Sequence, residues 1–189
     1  KVASDIVQLE AAGLDLKVHI NLSAKQFKGY ELCNKIVQEF RSLQIDTQAV
    51  CFEVTESSLV ENFQTVKRDL ECLQKEGFSI SLDDFGTGYS SLSYLRELPF
   101  DTLKIDKTFI QKLHSDETTR ALVASIIRLG QQLDYRIVAE GVEQRHELEF
   151  LQQHSCDYYQ GYLISHPLPF EMLCDFASSG FQIDGFSFR

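Results

Sequence analysis

Residues 79–91 read SISLDDFGTGYSS: a mostly apolar run, Ser79 to Leu82, leads straight into two adjacent carboxylates, Asp83 and Asp84. Phe85, Gly86, Thr87, Gly88, Tyr89, Ser90 and Ser91 follow. A short apolar run closed by glycine-rich turn residues predicts a buried strand leaving a core. Two carboxylates at such a strand end repel each other, and each loses water unless a cation or a proton sits between them. One or two divalent metal ions resolve that conflict most simply. For the pair taken alone, a surface turn that happens to hold Asp-Asp is the competing reading.

The same grammar recurs on both sides of this stretch. Lys17–Leu22 (KVHINL) predicts a strand ending at Asn21, and Val50–Val54 (VCFEV) one ending in Glu53, Thr55 and Glu56. Thr102–Ile105 ends in Lys104 and Asp106, and Arg136–Ala139 runs into Glu140, Gly141, Val142 and Glu143. Cys156–Tyr159, weaker in pattern, leads to Gln160. Helical stripes lie between the strands. Val2, Ile6 and Leu9 precede a stop at Gly13, and Phe27, Leu32, Ile36, Val37 and Phe40 mark a helix over Gln26–Leu43. Phe63, Val66, Leu70 and Leu73 run to Gly77, and a short helix Ser91–Leu98 stops before Pro99. Leu122, Ile126 and Leu133 mark a long helix, and Leu148 and Leu151 the inner face of Glu147–Gln153.

Strand and helix therefore alternate six times, which implies a parallel sheet with helices outside, either doubly wound or a barrel. Asn21, Glu53, Asp83, Lys104, Glu140 and Gln160 all fall at the C-terminal end of a predicted strand, the rim where α/β barrels place their active sites. Each alone reads as an ordinary loop residue; together they predict one convergent site.

A chain of 189 residues, 43% hydrophobic, with no low-complexity tract suits one domain with a sizeable core. No apolar run is long enough to cross a bilayer, and Lys1–Glu10 is polar and amphipathic, unlike a signal peptide. A net charge of −10 disfavours polymeric nucleic acid as a partner. It leaves room for a phosphate ligand, because a bound metal supplies positive charge. The five cysteines are odd in number and none pair at metal-knuckle spacing, so reduced, mostly buried thiols in a cytosolic domain are expected. The five histidines show no ligand spacing and read as surface or packing residues.

Asparagine and carboxylate oxygens are hard ligands suited to Mg²⁺, Mn²⁺ or Ca²⁺. Glu53, Asp83, Asp84 and Glu140, with Asn21, suffice for two cations sharing one bridging carboxylate. Two metals about 3.5–4 Å apart support in-line attack on a phosphodiester. Lys104 would hold a phosphate oxygen or orient the attacking water; a plain ion pair with a neighbouring acid is an equal alternative. Other motif readings fail on context. Asp84-Phe85-Gly86 lacks the ATP loop of a kinase, the Gly86–Gly88 turn lacks a phosphate-loop lysine, and Ser90-Ser91 has no adjacent base. An enolase-type metal enzyme also uses strand-end acids with a lysine; the paired acids fit two metals better.

NLSAKQF (21–27), FEVTES (52–57), LDDFGTGYSSLSYL (82–95), LKID (103–106), VAEGVE (138–143) and QGY (160–162) closely resemble the EAL-domain family, over about residues 10–170. This resemblance implies a (β/α)8 TIM-like barrel and a phosphodiesterase that cuts cyclic di-GMP to linear pGpG, dependent on Mg²⁺ or Mn²⁺ in a two-metal site and often dimeric. It further implies that Asn21, Glu53 and Asp83 hold one metal and that Asp83, Asp84 and Glu140 hold the other, with Asp83 bridging. Glu140 resembles the general base, and Lys104 the contact to water or scissile phosphate. Glu56 resembles the glutamate that anchors the loop after Asp84. Glu143 and Gln160 resemble residues that orient substrate or support the ligands; Asp106 matches its motif with a less defined role.

The chain departs from the family's pattern at its start: no Glu-Ala-Leu occurs in it, so neither the metal ligand of that strand nor the substrate arginine shortly after it is in this sequence, and the chain opens inside a helix. About six of eight strands are expected, with two open edges and an exposed apolar wall that an upstream segment or another chain would cover. Activity of such a fragment is expected to be impaired, and an inactive cyclic di-GMP-binding or regulatory module is the alternative. The family implies an upstream sensor or cyclase-like domain, a homodimer, and a cytoplasmic location or the cytosolic part of a membrane-anchored receptor, with no membrane contact by this segment. Residues 170–189 are read as a tail outside the family core, its Phe176, Phe181, Ile183, Phe186 and Phe188 packing on outer helices or at a dimer contact.

Overall fold

Six short strands, each returned to the same end by a helical crossover, build a single parallel sheet in the computed structural model. The strands are β1 (Val18–Leu22), β2 (Val50–Thr55), β3 (Ser79–Phe85), β4 (Thr102–Ile105), β5 (Arg136–Glu140) and β6 (Tyr158–Gln160). The helices are α1 (Val2–Ala11), α2 (Glu31–Ser42), α3 (Glu56–Glu61), α4 (Phe63–Lys75), α5 (Leu92–Glu97), α6 (Lys107–Ile110), α7 (Glu117–Gln132), α8 (Arg145–Gln153) and α9 (Phe170–Ser178), and a two-stranded hairpin, β7 (Gln182–Ile183) and β8 (Phe186–Ser187), follows. The described residues are 1–29, 31–61, 63–88, 92–178, 182–183 and 186–187. Tyr89, Ser90 and Ser91 of the central motif, and Phe181 and Phe188 of the tail, lie outside them.

The spatial order is the chain order, β1-β2-β3-β4-β5-β6, and every pairing is parallel. The sheet curls as a half-barrel, with β1 and β6 paired on one side only. Because side chains alternate along a strand, one face is apolar and packs under the helices. Phe52, Val54, Ile80, Leu82, Leu103, Ile105, Ile137 and Ala139 lie there, buried in one core. Phe40 of α2 and Phe78 close over Phe52, with ring centroids of Phe52 and Phe78 5.1 Å apart.

The inner face is mixed. Lys17, His19, Thr102, Lys104 and Arg136 line a cavity of about 420 Å³ there together with Cys51, Val138, Tyr158 and Tyr159. Its charged side chains lead up to the acids at the strand ends and supply counter-charge.

Three expectations change. Cys33 and Cys72 are not free thiols: they form a disulfide between α2 and α4, with Cα atoms 6.1 Å apart. These two helices flank β2 and lie side by side, which brings together cysteines 39 residues apart in sequence. Cys51 and Cys156 are free and buried, as expected. The helix predicted from Gln26 starts only at Glu31, because buried Asp69 of α4 accepts the backbone N–H groups of Lys28 (3.0 Å) and Gly29 (2.9 Å). Gly29 takes φ +65° in that turn, which a continuing helix cannot accommodate. On α7 the inward stripe is Val123, Ile126 and Ile127, and Leu122 is exposed; on α1, Ala3 joins Ile6 and Leu9 inside while Val2 faces solvent.

Candidate active site at the strand ends

All six strands point the same way, so their C-terminal ends form one rim. Glu53 and Thr55 project there from β2, and the Cα partner of Thr55 is Asp83 on β3. Asn21 of β1 lies beside Glu53 in register, and Glu140 of β5 beside Gln160 of β6. Strand polarity alone sets which end these side chains occupy, which is why the end can be read from the sequence.

The Asp83-Asp84 pair needs a local departure from strand geometry. Consecutive residues normally face opposite sides of a sheet. Between β3 and β4 the register runs Leu82 to Leu103, then Phe85 to Ile105, so two residues oppose the single Lys104. This is a β-bulge, and Asp84 adopts φ +55° within it. Leu82 and Phe85 both stay in the core, and both carboxylates turn to the rim. Ligand oxygens of Asp83, Asp84 and Glu140 consequently lie within 4.8 Å of one another.

Lys104 sits in the centre of the acids. Its Nζ is 2.6 Å from Glu140 Oε1, 2.8 Å from Glu53 Oε1 and 3.1 Å from Asp83 Oδ1. Burial pushes this ammonium toward neutrality, but the contacts to Glu140 and Glu53 outweigh it and hold the pKa above the usual lysine range. For Glu53, burial pushes the carboxyl up, and hydrogen bonds from His19 and Lys104 overcome that to hold it below its ordinary value. Glu140 is raised, chiefly by burial, against the pull of Lys104. Asp84 is raised by burial, then by repulsion from Asp83 and Asp106. Glu53, Asp83, Asp84 and Glu140 thus gather about one ammonium, and Asp84 and Glu140 are held above their ordinary values. An all-oxygen donor set with excess negative charge fits a hard divalent cation.

The remaining predicted residues fall into supporting positions. Glu56, at the start of α3, is buried and accepts the Gly86 N–H at 3.4 Å. Gly86 has φ +96°, and a Cβ there would stand 3.0 Å from the Phe109 ring, so the turn after the acids requires glycine. Asp106 caps α6 by accepting the Thr108 N–H at 2.9 Å. Glu143 and Gln160 are exposed at the rim and line a second cavity of about 270 Å³ with Glu140, Lys107 and Tyr162. Lys104 is an ion-pair partner of the acids, and it touches three of them rather than one.

One residue escaped the sequence reading. His19 Nδ1 lies 2.7 Å from Glu53 Oε1, so this surface histidine pairs with a rim carboxylate. It stands two residues before Asn21 on the same strand, and period-two alternation alone puts the two on one face.

A curled parallel α/β sheet with a hard-ligand rim at its strand ends defines the class: a barrel-type protein with a metal-suited site. The chain matches the EAL domain family over residues 1–167 and belongs to it. It is 38% identical, over 180 residues, to the cyclic di-GMP phosphodiesterase NbdA of Pseudomonas aeruginosa, covering 93% of this chain and 23% of that protein. It superimposes on the EAL domain of Mycobacterium smegmatis DcpA with a TM-score of 0.89 and 31% identity, covering 95% of this chain and 82% of that one. BlrP1 of Klebsiella pneumoniae, solved as a manganese and cyclic di-GMP complex, gives a TM-score of 0.79 and 29% identity over 87% of this chain and 43% of that one. The chain spans 20% to 23% of the length of the first curated relatives it matches.

Proposed function

We propose that this chain is the catalytic part of a metal-dependent phosphodiesterase that hydrolyses cyclic di-GMP to linear pGpG. The observation that carries the reading is the convergence of Asp83, Asp84 and Glu140 oxygens within 4.8 Å beside the Lys104 ammonium. The name of the NbdA relative and the ligand of the BlrP1 complex support the substrate. Asn21, Glu53, Asp83, Asp84 and Glu140 would hold two Mg²⁺ or Mn²⁺ ions, with Asp83 shared. Divalent cations there would neutralise phosphodiester charge and acidify the attacking water.

The chain's own residues take the remaining roles. Lys104, kept charged, holds a phosphate oxygen once substrate enters. Glu140, whose carboxyl is raised toward the working pH, accepts the proton of the attacking water. Glu56 fixes the turn after the acids. Gln160, Glu143 and Asp106 orient substrate or support the ligands. A homodimer, an accompanying sensor or cyclase-like domain and a cytoplasmic location complete the reading; light scattering tests the first.

Chromatography of cyclic di-GMP incubated with the full chain and Mg²⁺ or Mn²⁺ tests the activity. Appearance of pGpG, slow for this segment, which lacks the Glu-Ala-Leu strand, and abolished by chelator, is the expected result. Tight binding of cyclic di-GMP without turnover at any metal concentration would overturn it in favour of a binding or regulatory module.

A further inference from the structure

Among the described residues Glu53 has two polar partners, Lys104 and His19, and both use the same oxygen. Nζ of Lys104 is 2.8 Å from Oε1, and Nδ1 of His19 is 2.7 Å from it. We propose that His19 is a positioning residue, an anchor that fixes the Glu53 carboxylate independently of Lys104 and leaves Oε2 as the oxygen offered to a cation. This rests on the reading of the strand-end acids as a metal site.

The two partners are unequal in what else they do. Lys104 divides three N–H donors among Glu140, Glu53 and Asp83. Any contact it makes to a substrate phosphate comes at the expense of one of these. His19 carries no such burden. It projects from β1, one diagonal step from Glu53, since its own register partner is Cys51 and that of Asn21 is Glu53. Its side chain is 38% exposed toward the inner cavity, whereas that of Glu53 is 6% exposed. An enclosed carboxylate's rotation about its last bond is set largely by its hydrogen bonds, and a ring nitrogen on a paired strand is a well-placed donor. With Glu53 ionised, Nδ1 carries the hydrogen. Donors of this kind, placed behind a ligating carboxylate, set its orientation and contribute to metal affinity.

The test is Mn²⁺ affinity, measured by calorimetry on the full chain without substrate, for the wild type, His19→Ala, His19→Asn and Glu53→Gln. The side-chain amide of asparagine places an N–H close to the position of Nδ1. His19→Ala is expected to weaken Mn²⁺ binding about 10- to 100-fold, the range typical of lost ligand-orienting partners. His19→Asn should recover most of that loss, with the thermal midpoint of both variants near wild type. A purely structural histidine would shift the midpoint and leave affinity alone. If Glu53→Gln loses Mn²⁺ while His19→Ala binds as the wild type does, the role of His19 is overturned and the metal site stands. If His19→Asn is as weak as His19→Ala, hydrogen-bond positioning is overturned, because the imidazole itself is then required. If the wild type binds no Mn²⁺, the metal-site reading falls and the role of His19 falls with it.

Discussion

The two faces of the same strands have opposite chemistry. On β2, Phe52 and Val54 face the helices while Cys51 and Glu53 face the barrel interior; on β4, Leu103 and Ile105 alternate with Thr102 and Lys104. The outer row is a continuous apolar layer with exposures of 2% or less from Phe52 through Ala139. The inner row holds buried charge, balanced by contacts among Lys104, Glu53, Asp83 and Glu140. Hydrophobic burial is favourable and tolerant of direction, so the outer row can hold the fold together. Buried ion clusters contribute little net stability, because desolvation offsets attraction. Alternation thus assigns stability to one face and chemistry to the other, within single strands.

Substitutions on the two faces can break that division, and the largest effect is expected on the outer one. Phe52→Ala should cost about 3–5 kcal/mol in urea unfolding; a loss below about 1 kcal/mol would mean the layer is not where stability resides. Asp83→Asn, on the inner face, should lower kcat for cyclic di-GMP by about 10²- to 10³-fold, the scale of removing a group that acts on developing charge. Its unfolding free energy should stay within about 1 kcal/mol of wild type, because lost contact with Lys104 is offset by relief from Asp84 and Glu140.

Cys72→Ser removes the α2–α4 bridge and should cost about 2–4 kcal/mol, with kcat unchanged. Non-reducing peptide mapping would detect the Cys33–Cys72 link directly, and its absence would exclude this contribution. The smallest effect is expected at Ser81, an inner-face residue with 0% exposure whose Oγ is buried without a hydrogen-bond partner among the described residues. Ser81→Ala should be neutral or stabilising by up to about 1 kcal/mol in the same urea titration. Destabilisation beyond that would show that a bound water or cation satisfies the hydroxyl.

What the chain made legible follows from the range of each interaction. Strand runs such as VCFEV and TLKI announce themselves locally, and the polar residue ending each run marks the rim. Features that depend on partners far along the chain stayed hidden. The start of α2 is set by Asp69, 41 residues beyond Lys28, and the disulfide joins residues 39 apart. The bulge at Asp83-Asp84 was invisible because it is a property of the β3–β4 pairing, though it explains how adjacent acids can share a rim. His19 was within reach, since its signal is strand parity with Asn21 and not a spacing between histidines.

The strand order β1 through β6 without a single exchange of place has a consequence in time. During synthesis each strand meets, as its partner, the one released just before it. No strand waits for a later one to fill a central slot, and every addition lengthens a sheet at its newest edge. Each addition still closes a whole helical crossover, Val18 to Val50 for the first pair, so parallel pairing of this kind is slow even between neighbours in sequence. The same edge is an unpaired template until the next strand arrives, so a pause in translation exposes it to the wrong neighbours.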